Sequence, residues 1–169
     1  MHITTERLVI RTPHKQDINA FLEIRNSEGF LMFNPMSEVD MEKGLAELEE
    51  QIQDQSLLGI YYSGSMIGII SIYPDNLRYH IDSKNISYAL HPKFEGKGYM
   101  TEALRSVIDY LFNETSCEVI VARVFACNTK SKRLIEQLGF KLEGYIHKAV
   151  RGNNDIVHDD YLFALIKQV

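Results

Sequence analysis

An α/β fold built on one mixed sheet is the architecture this sequence predicts, and three observations predict it. Short apolar or alternating segments, the period of strands, recur along the chain. Between them lie segments whose apolar residues repeat at helical spacing. The 169 residues suit one domain, 1–169, and the composition (45% hydrophobic, 24% charged) is that of a folded globular chain without repeats, linkers or low-complexity tracts.

The elements follow in order. Ile3–Arg11 reads as a strand with imperfect alternation, ended by Pro13. Asp17–Arg25 places Ile18, Phe21, Leu22 and Ile24 on one helical face. Asn26–Ser37, with Gly29 and Pro35, reads as irregular. Glu38–Asp54 is a helix with an acidic outer face and Leu45, Leu48 and Ile52 inward. Leu57–Tyr62 and Met66–Tyr73 flank Ser63-Gly64-Ser65 as a hairpin, and Pro74-Asp75-Asn76 breaks the chain after it. Ile86–Leu90 is a strand ended by Pro92. From Thr101 the period becomes 3.6, with Ala103, Leu104, Val107, Ile108, Leu111 and Phe112 in one stripe. Val119–Cys127 is the near-continuous apolar run of a strand buried on both faces. Lys130–Leu138 is a helix closed by Gly139, and Lys141–Val150 and Ile156–Lys167 are strands around the turn Arg151–Asp155.

Charge and composition exclude several classes. The net charge of −5 argues against a chain held on nucleic acid by general positive charge. It is unevenly divided: residues 1–84 carry a net −6 and residues 85–169 a net +1. No stretch approaches the roughly 20 apolar residues of a membrane span. Met1–Arg7 lacks the basic-then-apolar pattern, so no signal peptide is expected. Two cysteines make no disulfide framework, and the six histidines show no metal-ligand spacing, so a cytoplasmic, metal-free protein is expected.

Two segments carry chemistry. Ile86 to Leu104 runs strand, Gly96-Lys97-Gly98 turn, helix. Glycines permit backbone angles that other residues avoid, and a helix start presents unpaired N–H groups at a positive dipole end. Together they describe an anion cradle, most simply for phosphate, with a merely tight turn as the alternative. A P-loop would place Ser or Thr after Lys97, where Gly98 stands; a dinucleotide fingerprint would place Gly at Thr101 and follow the first strand. In the second segment Asn128 is a natural helix cap, yet Lys130, Lys132 and Arg133 crowd the first turn. That is the wrong charge for the dipole, and is less odd beside an anionic ligand.

These two segments, in this order, resemble the GNAT acyltransferase superfamily, and the resemblance covers nearly the whole chain. Thr5–Arg11 is similar to the opening strand of its ribosomal-protein N-terminal acetyltransferase (RimJ/RimL-type) branch, and Gly96–Leu104 to that branch's pyrophosphate loop. Asn128–Phe140 is similar to its Asn-x-x-Ser … Leu-Gly-Phe signature, and Leu142-Glu143-Gly144 with Asp159–Phe163 to its closing strands. The resemblance implies a mixed, mostly antiparallel sheet of six or seven strands, splayed at the cofactor site and flanked by four helices. It implies acetyl-CoA as co-substrate and a primary amine as acceptor, with monomer or homodimer both open. Glu95, Gly96, Lys97, Gly98, Tyr99 and Met100 would surround the pyrophosphate. Ala89 and Leu90 would pair with the pantetheine arm like an added strand. Asn128 would bond that arm, and Ser131 would lie near the sulfur as the acid. Lys97, Lys132 and Arg133 are added as partners for the CoA phosphates.

The sequence departs from the family pattern at three places. The tyrosine that in many members protonates the thiolate is replaced by Ile135, a glutamate base of the branch by Val150, and a Gln/Arg of the loop by Lys93. An amine attacks a thioester only when neutral; a lysine has a reference pKa of about 10.4, an α-amine roughly 7.7–8.0. A protein N-terminal α-amine is therefore the expected acceptor. The alternatives are a small amine such as a polyamine, antibiotic or amino acid, or a non-catalytic CoA-binding module. Base candidates are His91, Asp82, Glu28 and His158, each also readable as an ordinary surface or turn residue. Cys127 reads as inert strand packing with no histidine near it in sequence, and Tyr88 as packing. Asn26–Ser37 and the acidic second helix would form much of the acceptor wall.

Overall fold

A computed structural model of the chain describes residues 1–153 and 155–168. Asn154 of the predicted Arg151–Asp155 turn and Val169 at the end of the predicted domain lie outside the described residues. The elements are β1 (His2–Thr4), β2 (Leu8–Arg11), α1 (Ile18–Arg25), α2 (Glu28–Met32), α3 (Met41–Gln53), β3 (Leu57–Tyr62) and β4 (Ser65–Pro74). They continue with β5 (Ser83–Leu90), α4 (Tyr99–Glu114), β6 (Val119–Phe125), α5 (Thr129–Gln137), β7 (Lys141–Arg151) and β8 (Val157–Ile166). Single 3-10 turns occupy Lys15–Asp17 and Pro92–Phe94.

One eight-stranded sheet runs β1-β2-β3-β4-β5-β6-β8-β7, and its neighbours are antiparallel except for the parallel pair β5–β6. The eighth strand corrects the expected six or seven. Ile3–Arg11 is not continuous, because the Thr5 hydroxyl accepts from Leu8 N at 3.0 Å while Thr5 N donates to Leu8 O at 2.9 Å. That turn folds Ile3 back onto Ile10. A fifth helix, α2, lies inside the segment expected to be irregular; Ser27 Oγ caps it by accepting from Phe30 N at 3.3 Å. Helix α4 begins at Tyr99, two residues before the expected Thr101, and α3 begins after its cap Asp40.

Apolar side chains cover both faces of the sheet. On one face Ile10, Ile60, Ile70, Ile86 and Ile120 pack against Ala103, Leu104 and Val107 of α4 and Ile135 of α5. On the other, Phe21 and Ile24 of α1 and Leu48 of α3 cover Tyr61, Met66 and Ile69. Each fully buried Leu, Ile or Phe contributes about 1.5–3 kcal/mol relative to exposure. Both layers thus anchor the strands whose ends build the site.

That site begins where the ladder fails. Strands β5 and β6 pair only at Ser83–Val119, Lys84–Ile120 and Asn85–Val121. Beyond these, β5 stays paired to β4 as far as Leu90, and β6 to β8 as far as Phe125. The facing edges Ile86–Leu90 and Ala122–Phe125 therefore diverge, the splay the resemblance implied.

Candidate active site

An unpaired strand edge carries free N–H and C=O groups, so the splay can take an extended polar chain as an added strand. Ala89 and Leu90 lie on its β5 side. The turn after β5 supplies the second half of the site. Gly96 and Gly98 have φ of +74° and +78°, a left-handed geometry that glycine adopts without strain. A Cβ at Gly96 would meet nothing within 4 Å, so the turn is open on its outer side. Gly98 caps α4 with no side-chain hydrogen bond to the first turn. The helix start therefore presents its donors outward, as anion binding needs.

Arg7, not singled out by the sequence, holds this cradle. Its Nη1 donates to Lys97 O at 3.0 Å, its Nη2 pairs with Glu102 Oε2 at 2.6 Å, and its guanidinium lies 4.6 Å from the Tyr99 ring centre. Glu102 also accepts from the Thr5 hydroxyl at 2.6 Å and from Arg7 N at 3.1 Å. Burial alone would raise the Glu102 carboxyl; the Thr5 and Arg7 hydrogen bonds outweigh it and hold the group below its ordinary value. Arg7 carried a sequence signal only as part of the opening strand, and nothing local joins it to residue 97.

The cations near the cradle have protein partners. Lys130 pairs with Glu95 at 3.1 Å, and Lys132 with Glu136 at 2.5 Å while lying 5.7 Å from the Tyr161 ring centre. Lys97 Nζ lies 5.5 Å from the Phe94 ring centre, and Arg133 is exposed. Of the three cations in the first turn of α5, Lys130 and Lys132 thus have acidic protein partners.

Asn128 caps α5 as its type predicts, Oδ1 accepting from Ser131 N at 3.1 Å. Ser131 Oγ in turn lies 2.7 Å from the Tyr88 hydroxyl. Beyond the packing expected of it by default, Tyr88 uses its hydroxyl to join β5 to α5 beside the splay. Burial pushes the Tyr88 hydroxyl up to about 12, the Ser131 bond opposing weakly, so it is a neutral phenol at pH 7. Ile135 is fully buried core, which explains an apolar residue there.

Tyr88 shares its face of β5 with Ile86, under α4 and α5. The opposite face of the splay carries different groups. The Phe125 ring stacks on His158 at 4.9 Å and meets the edge of Phe33, which follows α2, at 6.5 Å. Cys127 is exposed, beyond the end of β6, with Sγ 3.6 Å from His158 Nδ1. That overturns the reading of Cys127 as buried strand packing; the histidine it meets is 31 residues away in sequence. Arg123 binds the buried Asp160. A cavity of about 190 Å³ on this face is lined by Asn85, Val121, Arg123, Ile146 and Leu162 among others.

Two of the other base candidates, His91 and Asp82, have structural partners. His91 Nδ1 accepts from Lys93 N at 3.2 Å and its Nε2 lies 3.4 Å from Glu23. Asp82 precedes β5, at the end away from Leu90, where hydrogen bonds from Lys84 and Ser116 hold its carboxyl below the ordinary value. Glu28 is exposed in the first turn of α2. Of the expected acceptor wall, the Asn26–Ser37 segment reaches the splay through Phe33, whereas α3 packs on α1. Among the described residues no group of three or more His, Cys, Asp or Glu has the arrangement of a metal site. No helix among them is long and apolar enough to cross a membrane.

The model of the acetyltransferase (GNAT) domain family matches residues 7–141. The chain belongs to the GNAT acetyltransferase family. YjcK of Bacillus subtilis, named as a probable N-acetyltransferase, is 30% identical over 158 residues, which cover 88% of this chain and 86% of YjcK. A GNAT-family acetyltransferase structure from Bacillus anthracis aligns with a TM-score of 0.89 at 24% identity over 99% of both chains. RimL, a ribosomal L7/L12 alpha-N-protein acetyltransferase solved with coenzyme A, aligns with a TM-score of 0.85 at 21% identity over 98% of both chains, a likeness of fold. As a GNAT member the chain is an acetyl-CoA-dependent acyltransferase. Its open glycine cradle and unpaired strand edges suit the pyrophosphate and the amide-bearing arm of that co-substrate.

Proposed function

We propose that this GNAT enzyme acetylates a protein N-terminal α-amine. The observation that carries the reading is the hydroxyl pair Tyr88–Ser131 at 2.7 Å beside the splay. It supplies a proton donor for the departing thiolate where the family's tyrosine is replaced by Ile135. The Asn128 side-chain amide and the free edge at Ala89 and Leu90 orient the thioester, and the backbone of Gly96–Met100 holds the pyrophosphate. Lys97 and Arg133, exposed beside these segments, meet the CoA phosphates, and Lys132 does so on leaving Glu136. The structural partners of His91 and Asp82 favour an acceptor with an appreciable neutral fraction near pH 7, and an α-amine has a far larger one than a lysine. Side chains over β5 leave Ser87 exposed, room for an extended peptide end.

Thiol release from acetyl-CoA tests the reading, with three acceptors: a peptide with a free N-terminal alanine, its Nα-blocked lysine counterpart, and spermidine. The free α-amine is expected to react fastest. Preference for the blocked peptide or for spermidine overturns the α-amine assignment. Acetyl-CoA binding without release on any amine returns the chain to a binding module.

A further inference from the structure

Orphaned polar atoms on one strand point to where the acceptor amine is held. Among the described residues, three buried side-chain atoms lack a hydrogen-bond partner: Gln51 Oε1, His158 Nε2 and Asp160 Oδ1. Two of the three stand two residues apart on β8 and so share a face of the sheet. Their register neighbours on that face are Phe125, opposite Asp160, and Arg123, opposite Leu162. It is the face opposite to Tyr88 and Ser131.

Each orphan is held in place by the other atoms of its side chain. Asp160 is 2% exposed, and its Oδ2 accepts from Arg123 Nε and Nη2 at 3.0 and 2.6 Å, which leaves Oδ1 as a free acceptor. His158 is stacked on Phe125, and its Nδ1 faces Cys127 Sγ at 3.6 Å. In the tautomer that places the ring proton on Nδ1, toward that sulfur, Nε2 carries the lone pair, and it is this tautomer that serves as a base. The cavity lined by Arg123 opens on this same face, beside Asn85 and Val121, the last paired position before the splay. Phe33 and Phe125 provide apolar walls for the carbon next to a nitrogen.

We propose that His158 Nε2 and Asp160 Oδ1 form the acceptor site for a primary amine, Asp160 accepting one N–H and His158 acting as the base. The inference rests on the amine-acceptor reading above and adds the missing base to it. In the reaction the amine nitrogen forms a bond to the acetyl carbon and the carbon–sulfur bond breaks, its electron pair leaving on sulfur. The proton lost from nitrogen goes to His158 Nε2. The thiolate takes a proton from the Tyr88–Ser131 pair on the other face, and solvent restores both groups. Base and acid then stand on opposite sides of the thioester.

The test compares wild type, His158→Gln and Asp160→Asn with the alanine peptide and with methoxyamine, whose nitrogen is neutral at pH 7. Acetyl-CoA affinity by calorimetry is expected to stay near wild type in both variants. His158→Gln is expected to lower kcat on the peptide about 100-fold but on methoxyamine by less than about 3-fold. Asp160→Asn is expected to raise the peptide KM about 10-fold. His158→Asn, which keeps an amide donor toward Cys127, serves if the first variant fails to bind acetyl-CoA. Unchanged kcat and KM in variants that bind acetyl-CoA overturn the site, as does an equal loss on both amines. If spermidine reacts and the peptide does not, the comparison is made on spermidine and only the α-amine reading falls.

Discussion

Two helices start at the same mouth of the sheet, and they start differently. Helix α4 opens with a left-handed Gly98 and no side-chain cap, whereas α5 opens with Asn128, whose Oδ1 takes the Ser131 N–H. Both positions present donors at a positive dipole end. One leaves them to an outside anion; the other uses its side chain on its own helix. On the proposed function the difference separates two tasks: α4 is assigned the charge of the co-substrate, while α5 fixes a hydroxyl and an amide in place.

The strongest way to break this contrast is to fill the open end. Gly98→Val places a branched side chain at φ +78° and into the cradle. It should weaken acetyl-CoA binding more than about 100-fold and cost about 1–3 kcal/mol of stability. Gly64→Ala is the control, since Gly64 has φ +82° in the β3–β4 turn and nothing within 4 Å of its Cβ. It should share the strain without the binding loss. Equal acetyl-CoA affinity in Gly98→Val and wild type, by calorimetry, would remove α4 as the anion site.

A smaller effect is expected at α5. Asn128→Ala should lose about 1 kcal/mol through the missing cap, while Asn128→Asp keeps an accepting oxygen and that stability. Both should bind acetyl-CoA about 10-fold more weakly for want of the amide donor. Ser131→Ala should instead lower turnover about 10- to 100-fold with acetyl-CoA affinity unchanged. If Asn128→Asp binds as wild type does, the side chain serves only as a cap.

The smallest effect is a pH dependence at α4. Glu102 is held below its unfolded value of about 4.3, so its contribution is complete above that pH and is lost as pH falls through the folded value. Arg7 is 40% exposed, so solvent screening keeps the contribution small. Denaturant unfolding of wild type and Glu102→Gln should differ most well above the unfolded value and converge only as pH falls below the folded value. A difference that persists at low pH assigns it to packing instead.

Much of this was legible along the chain because it is local. The stripe Ala103–Phe112, the run Val119–Cys127 and the glycines at 96 and 98 each announce their element within a few residues. The break between β1 and β2 is made by the Thr5 side chain, with neither glycine nor proline to mark it. Five-residue α2 is too short to display a helical period. Tyr88 meets Ser131 across 43 residues, and Cys127 meets His158 across 31. Such contacts exist only after the sheet has formed, so no spacing rule reveals them.

The Arg7 side chain gives the glycine turn a different character from its appearance. A turn that looks self-contained is closed by a guanidinium 90 residues earlier in the chain. Its geometry is therefore settled late, once the first hairpin and the fourth helix have met, and contacts of that range slow folding. If this turn holds the co-substrate as proposed, its recognition is a property of completed tertiary structure, and a peptide spanning the turn and helix alone would not reproduce it.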